Sequence, residues 1–328
     1  MKGKRVSLAD IADSLNVSKS TVSFVLNGKG KQFNISERTQ QLILDKAKEL
    51  NYVPNFFAKG LREGKTSTIG LVLSDISNPF YSEMTKAIQD KLYDLGYSLF
   101  IVSTNDDPTM ELKLMRDLIL RGVDAMIISP CNDIPTLKPI LDETPIPVVW
   151  VDRIGDNLGD FVGVDNVKES EKAIYKFSKT PKKVAILKPE QDKVMTIQLR
   201  VEGAINACKA KGYSFEEAVI SEKNADSIVE GLIKNGCDSF FALNNQVALK
   251  TIGAFNRNKI EAPTTARLIS FDDSESFSYM RVPISCVRQP ITNIGFETVN
   301  RLMERLKEST ENRVHRMLDC DFMERSSH

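Results

Sequence analysis

Lys19, Ser20, Ser23 and Phe24 lie one, four and five positions apart, so a helix would carry all four on one face. Short polar side chains, one base and one aromatic ring in that arrangement can bond base edges and touch thymine methyls in a major groove. Ser18 and Thr21 open the same segment and join it as candidate DNA contacts. Arg5, Lys29 and Lys31 flank it with charge suited to phosphates. A second set of polar residues follows apolar runs much later in the chain: Asp75, Asp152, Asn244, Asp272 and Gln289, with Arg200 early in a helical stretch. Carboxylate, amide and guanidinium groups suit vicinal hydroxyls, which donate and accept at once. Phe80 or Tyr81 would cover the apolar face of a sugar ring. The plainer reading of this second set is that Asn and Asp end strands and cap helices in any α/β protein.

The elements that must position the first set are legible. Ser7 caps one short helix, with Asp10 at its third position and Leu8, Ile11, Ala12 and Leu15 on one face. Asn16 and Val17 make a turn, and Ser18 caps a second helix that points Val22, Val25 and Leu26 inward. Ser36 caps a third helix with apolar positions Leu42, Ile43, Ala47 and Leu50, ended by Tyr52 and Pro54. An αα-hairpin at the edge of a larger domain is the alternative. Charge opposes it. Met1 to Thr68 holds twelve Lys/Arg and six Asp/Glu, a net +6, and the remainder carries 32 and 38, a net −6. A neutral total thus hides a basic head, suited to a phosphate backbone, on an acidic body that should avoid it.

From Thr68 strand and helix signals alternate. Apolar runs at Ile69–Leu73, Leu99–Val102, Ala125–Ile128 and Val148–Val151 are separated by helical patterns near Phe80–Leu95 and Met110–Leu120. A second series has strands near Val184–Leu187, Ser239–Leu243 and Leu268–Phe271, with helices near Ile197–Ala210 and Gln246–Asn256. Two such series imply two lobes, each a doubly wound parallel sheet, with a site between them outside the carboxyl ends of the strands. Gln289 follows a further strand at Ser285–Arg288.

Composition excludes several classes. The opening MKGKRVSLADIADSL lacks the continuous apolar stretch of a signal peptide, and no apolar run nears the roughly 18–20 residues of a membrane span. The expected location is cytoplasmic, with no membrane partner. Five scattered cysteines, Cys131, Cys208, Cys237, Cys286 and Cys320, read as buried free thiols. Two histidines, His315 and His328, give no basis for a histidine metal site. Gly60 to Thr66 is one residue short of a phosphate-binding loop, with Lys59 where glycine is needed. Gly28-Lys29-Gly30 lacks a third glycine. Neighbours in Asp106-Asp107 and Asp272-Asp273 should point apart, against an acid/base dyad. No catalytic residue, metal or cofactor is assigned.

The segments VSLADIADSLNVSKSTVSFVLNG, ISERTQQLILDKAKELNYVPN and TSTIGLVLSDISNPFY, then RVEGAINA, FALNNQVAL, ISFDDSE and VRQPITNIG, occur in this order. Together they resemble the lactose-repressor/galactose-repressor family of bacterial transcription regulators, nearly end to end. The resemblance implies a helix-turn-helix domain over 1–54, a hinge over 55–67 and a two-lobed, periplasmic-binding-protein-like effector and dimerisation domain over 68–328. One lobe would take about 68–164 and 290–319, the other about 165–289 and 320–328, with crossings near Val164, Pro290 and Asp319. It also implies that the polar residues at the strand ends ring an effector. Leu61, between Lys59, Gly60 and Arg62, reads as an apolar wedge for the minor groove, with Arg62 beside it.

The expected protein is a homodimeric repressor of a near-palindromic operator, its affinity set by a small ligand, a sugar or sugar derivative. No leucine heptad follows DFMERSSH to join dimers. A solute-binding receptor of carbohydrate transport on the same lobes is the alternative, opposed by the head; a regulator with a vestigial cleft is a third. Departures from the family pattern are Phe24 where many members have arginine or histidine, a longer loop over Gly28–Asn34, Gly60 for serine or alanine, and Asn245 for aspartate. Phe24 either meets DNA or folds into the helical core.

Overall fold

The computed structural model describes residues 6–52, 65–143, 146–153, 159–191, 193–307 and 312–328. The chain divides into two units, Met1–Thr66 and Ser67–His328. Arg5, the hinge residues Asn55 to Arg62 and with them Leu61 lie outside the described residues.

The first unit is three helices, α1 (Leu8–Leu15), α2 (Lys19–Leu26) and α3 (Glu37–Glu49). The Ser7 hydroxyl accepts from the Asp10 amide while the Asp10 carboxylate accepts from the Ser7 amide at 2.7 Å, a reciprocal cap. Asn16 takes a left-handed φ of +51° and turns the chain into Ser18, whose hydroxyl accepts from the Thr21 amide at 3.0 Å. Ile11, Ala12, Val22, Val25, Ile43 and Ala47 form the core. Leu42, expected inside, is 51% exposed. The stripe α3 turns inward runs through Ile43 and Ala47, four apart, which leaves the neighbour of Ile43 outside.

The second unit runs β1 (Thr68–Leu73), α4 (Pro79–Asp94), β2 (Ser98–Ser103), α5 (Pro108–Leu120), β3 (Ala125–Ile128), α6 (Ile134–Glu143), β4 (Val148–Val151), β5 (Asp160–Val164) and α7 (Asn166–Ile174). It continues through β6 (Lys183–Lys188), α8 (Met195–Lys211), β7 (Ser214–Val219), α9 (Ala225–Lys234), β8 (Ser239–Ala242), α10 (Asn245–Arg257), β9 (Arg267–Phe271), β10 (Ser285–Arg288), α11 (Ile291–Lys307), β11 (His315–Leu318) and β12 (Asp321–Met323).

Two six-stranded sheets result, ordered β11-β5-β4-β3-β1-β2 and β12-β10-β9-β8-β6-β7. Every pairing is parallel except β10 with β12. Covered on both faces, the inner strands are continuously apolar, as in β3 with Ala125, Met126, Ile127 and Ile128 all buried. Edge strands are mixed: β2 leaves Phe100 and Ile101 about two-fifths exposed.

The chain passes from one sheet to the other after β5, after β10 and after β11. One apolar cluster continues through both lobes, from Ile69, Leu71 and Val151 to Ile186, Phe241 and Val287. Where α7 and α8 cross, Gly203 lets the Val167 carbonyl approach: a Cβ built there would meet that oxygen at 2.2 Å. Among the described residues no helix is long and apolar enough to cross a membrane. All five cysteines are free thiols; Cys208, Cys237 and Cys286 are buried, whereas Cys131 and Cys320 are only half-buried.

Candidate functional site

In the first unit, Lys19 and Ser20 stand exposed on α2 and Phe24 half-exposed, one turn from Ser20. Ser23 does not share their surface. It is 7% exposed, and the Asn27 side-chain amide donates to its backbone carbonyl at 2.7 Å, so it serves the interior of the head. This corrects the sequence reading, which put Ser23 on the outer face from spacing alone; the burial of Val22 and Val25 on either side rotates that face away from it. Phe24 is not in the core either. Its ring stacks on Phe33, centroids 3.7 Å apart and planes 8° from parallel. Thr21 is half-buried, and its hydroxyl shares a 2.8 Å hydrogen bond with Ser18. Lys29 is exposed; Lys31, also exposed, stands 3.9 Å from Glu37.

In the second unit, the carboxyl ends of both sheets open on one cleft of about 120 Å³. Asp75, Phe80, Tyr81, Asp152, Arg200, Asn244 and Asp272 all line it. Gln289 is not among the lining residues; it is buried and donates to Asp272 Oδ1 at 2.6 Å.

The cleft is built from two matching halves. Asp152 follows β4 and Asp272 follows β9, the third strand from the same edge of each sheet. Both take left-handed backbone, at φ +64° and +65°, a conformation costly for most residues and best tolerated by Asp, Asn and Gly. Equivalent positions on the two walls thus carry the same residue in the same backbone conformation.

On the first wall the Tyr81 hydroxyl donates to Asp152 Oδ2 at 2.8 Å and lies 3.2 Å from the Ser129 hydroxyl. Burial pushes the Asp152 carboxyl above its ordinary range; Arg153, Arg200 and Tyr81 pull it back in part, and Asp272 adds to the rise. The same burial raises the Tyr81 phenol, which therefore stays protonated as a donor. Arg153, next in sequence, is 8% exposed, pairs with Asp106 and reaches the Ser74 hydroxyl at 3.2 Å.

On the second wall Arg200 is 4% exposed. Its Nε donates to Asn166 Oδ1 at 2.8 Å, and its Nη1 to the Leu243 carbonyl at 2.8 Å and to Asp272 Oδ2 at 2.9 Å, while the guanidinium lies 3.7 Å from the Phe271 ring centroid. Asn244 caps α10, its Oδ1 accepting from the Val247 amide at 2.8 Å.

Sequence reasoning missed Arg153, Asp106, Ser74 and Ser129. It weighed Asp106 only as half of a dyad. That pair does point apart: Asp106 binds Arg153, and Asp107 caps α5. Asp272 and Asp273 diverge likewise, toward Arg200 and Arg325. The available signal for Arg153 was a basic residue directly behind Asp152 at a strand end.

Residues 7–55 match the bacterial regulatory proteins of the lacI family, and residues 181–328 match a periplasmic binding protein-like domain. The chain is 28% identical over 327 residues to the HTH-type transcriptional repressor PurR of Aliivibrio fischeri, covering 95% of each. In fold it resembles the lac repressor dimer bound to operator and the anti-inducer ONPF, with a TM-score of 0.87 at 19% identity over 99% of both chains. It also resembles the regulator CelR in complex with cellobiose, with a TM-score of 0.71 at 22% identity over 99% of this chain and 100% of that one.

Proposed function

The chain belongs to the lacI family of bacterial regulatory proteins, and from that premise we propose how its residues divide the work of a repressor. It is a transcription regulator that binds operator DNA as a homodimer and senses a small effector. Lys19, Ser20 and Phe24 read bases, and Ser18, Thr21, Lys29 and Lys31 hold the backbone. Arg5, Leu61 and Arg62 are proposed contacts from sequence alone. Acting on DNA places its work in the cytoplasm. A solute-binding receptor would have no use for the head.

The effector is a sugar or sugar derivative held between the two walls. The observation that carries this is the matched pair Asp152 and Asp272, each in left-handed backbone, each tied to a polar partner, and both lining one cleft. Two carboxylates and the Tyr81 oxygen supply acceptors and Arg200 supplies donors, a set that satisfies adjacent hydroxyls. Phe80 and Tyr81 offer ring faces beside them. Three crossings link the lobes, so a ligand that bridges both walls favours one closure, and the dimer carries that choice to its two heads. Exposed Leu249 and Tyr279 on one lobe, with Phe100 and Ile101 on the other, are the apolar surfaces proposed to meet the second copy.

Thermal unfolding of the full chain against neutral sugars, sugar phosphates and nucleobases tests this, followed by operator binding with each hit. A sugar should raise Tm and change operator affinity, and Asp272→Asn should remove both effects. Alanine at Arg200 or Asp272 is a poorer test. Either one strands a buried charge and costs about 3–5 kcal/mol of stability. Sugar responses that survive Asp272→Asn unchanged would remove the cleft assignment.

A further inference from the structure

Phe24 and Phe33 form a stacked pair that belongs to no core. The head's apolar cluster contains neither ring, and Phe33 stays 47% exposed. The loop between them is built to hold the stack. The Lys29 amide donates to the Phe24 carbonyl at 2.8 Å, and the Lys29 carbonyl accepts from the Phe33 amide at 3.2 Å. Gly28 and Asn34, with φ of +72° and +52°, bend the chain at either end. Gly30 is buried against Gln40, whose side-chain amide donates to the Ile35 carbonyl at 2.7 Å. The loop is thus closed by its own backbone, and the stack is not needed to bury it.

We propose that Phe33 buttresses Phe24 as a methyl reader, the two rings together selecting one thymine in each half-site of the operator. Phe24, half-exposed, stands one turn beyond exposed Ser20 on α2, with exposed Asn27 at the cap that ends the helix. Exposed Lys19, Lys29 and Lys31 and the net +6 of the head make a nucleic-acid duplex the occupant that matches the charge around these rings. A phenyl ring offers no hydrogen bond to a base edge. Of the groups in the major groove, only the thymine methyl gains from apolar contact. Phe33 covers one face of Phe24, which limits the rotamers Phe24 would otherwise lose on binding. Phe33 is a positioning residue and Phe24 the contact.

The inference rests on the reading of the head as the DNA reader, and the test separates the two. The full chain is first used to select a motif from random duplexes. Each thymine of that motif is then replaced singly by deoxyuridine, which removes only the methyl. One thymine per half-site should lose about fourfold in affinity, the worth of one buried methyl. Phe24→Ala should abolish that discrimination, and Phe33→Ala should reduce it while the salt dependence of binding stays unchanged. Deoxyuridine tolerated at every position by the wild-type protein overturns the proposal, as does full discrimination by Phe33→Ala. Failure to enrich any motif overturns the DNA reading itself, and this proposal with it. The uridine scan on the wild type requires no variant to fold.

Discussion

Replacing Gly203 by alanine should loosen the wall that carries Arg200. Its new Cβ would stand 2.2 Å from the Val167 carbonyl oxygen, 2.9 Å from that carbonyl carbon and 3.0 Å from Ser170 Cβ. The first two atoms are backbone and cannot rotate away, so α7 and α8 must part by about 1 Å to restore ordinary contact. Overpacking of this kind costs about 1–3 kcal/mol. Alanine's higher helix propensity returns about 1 kcal/mol. The net loss is up to about 2 kcal/mol, which lowers Tm by up to about 8 °C in a domain of this size. Gly231 on α9 is the control, because a Cβ there meets nothing within 4 Å. Gly231→Ala should raise Tm by about 2–4 °C on propensity alone. Parting α7 from α8 also stretches the 2.8 Å bond from Arg200 to Asn166, so the Gly203 variant should respond less to an effector. Thermal unfolding of both variants side by side is the assay. A Gly203→Ala protein as stable as Gly231→Ala would refute the claim that the crossing is closed by contact.

Asp152→Asn should stabilise the protein at pH 7 while weakening the effector response. Burial raises the native Asp152 carboxyl above its unfolded value, so between the two values the native state holds the extra proton and wild-type stability gains as pH falls. The variant should lack that gain, and identical slopes of Tm against pH over the acid range would contradict it. Lys31→Ala should leave Tm unchanged, since its Glu37 pair is weak and both side chains are more than four-fifths exposed. It should weaken all operators alike and flatten the salt slope by about one unit; a change of base preference instead would move Lys31 among the readers.

The alternation of apolar runs and helices was enough to read most of both sheets, because parallel inner strands are buried on both faces and show as unbroken apolar stretches. Strand β5, DFVGV, went unread although it is buried, its short run opened by Asp160 and interrupted by Gly163. Strands β7, β11 and β12 escaped notice for the opposite reason. SFEEAV puts Glu216 and Glu217 on an edge, where they pair with Lys183 and Lys188. The other two strands are four and three residues long. Asp152 and Asp272 were legible as strand-end aspartates. Their matched backbone conformation was not, since a left-handed φ at Asp leaves no mark in composition. Arg153 gains meaning only through Asp106, forty-seven residues away, and long-range pairs of this kind are invisible to local pattern. Ser23 shows the converse error: helical spacing gave its angle around α2, but which angle counts as inside was set by α1 and α3.

The threefold passage between sheets also orders events during synthesis. Strand β11 closes the edge of β5 from a point about 150 residues later, pairing His315 with Phe161, and β12 completes the other sheet only from Asp321 onward. Neither lobe can finish its sheet until nearly the whole chain has left the ribosome. The head, built from contacts within its first fifty residues, needs none of this. Contacts so distant in sequence form slowly, so a nascent chain holds a finished DNA reader for most of its synthesis while neither sheet below it is complete. On the proposed dimeric reading, a chain that stopped short of β11 and β12 would bring a head to the operator without the two finished sheets that let it act as one of a pair.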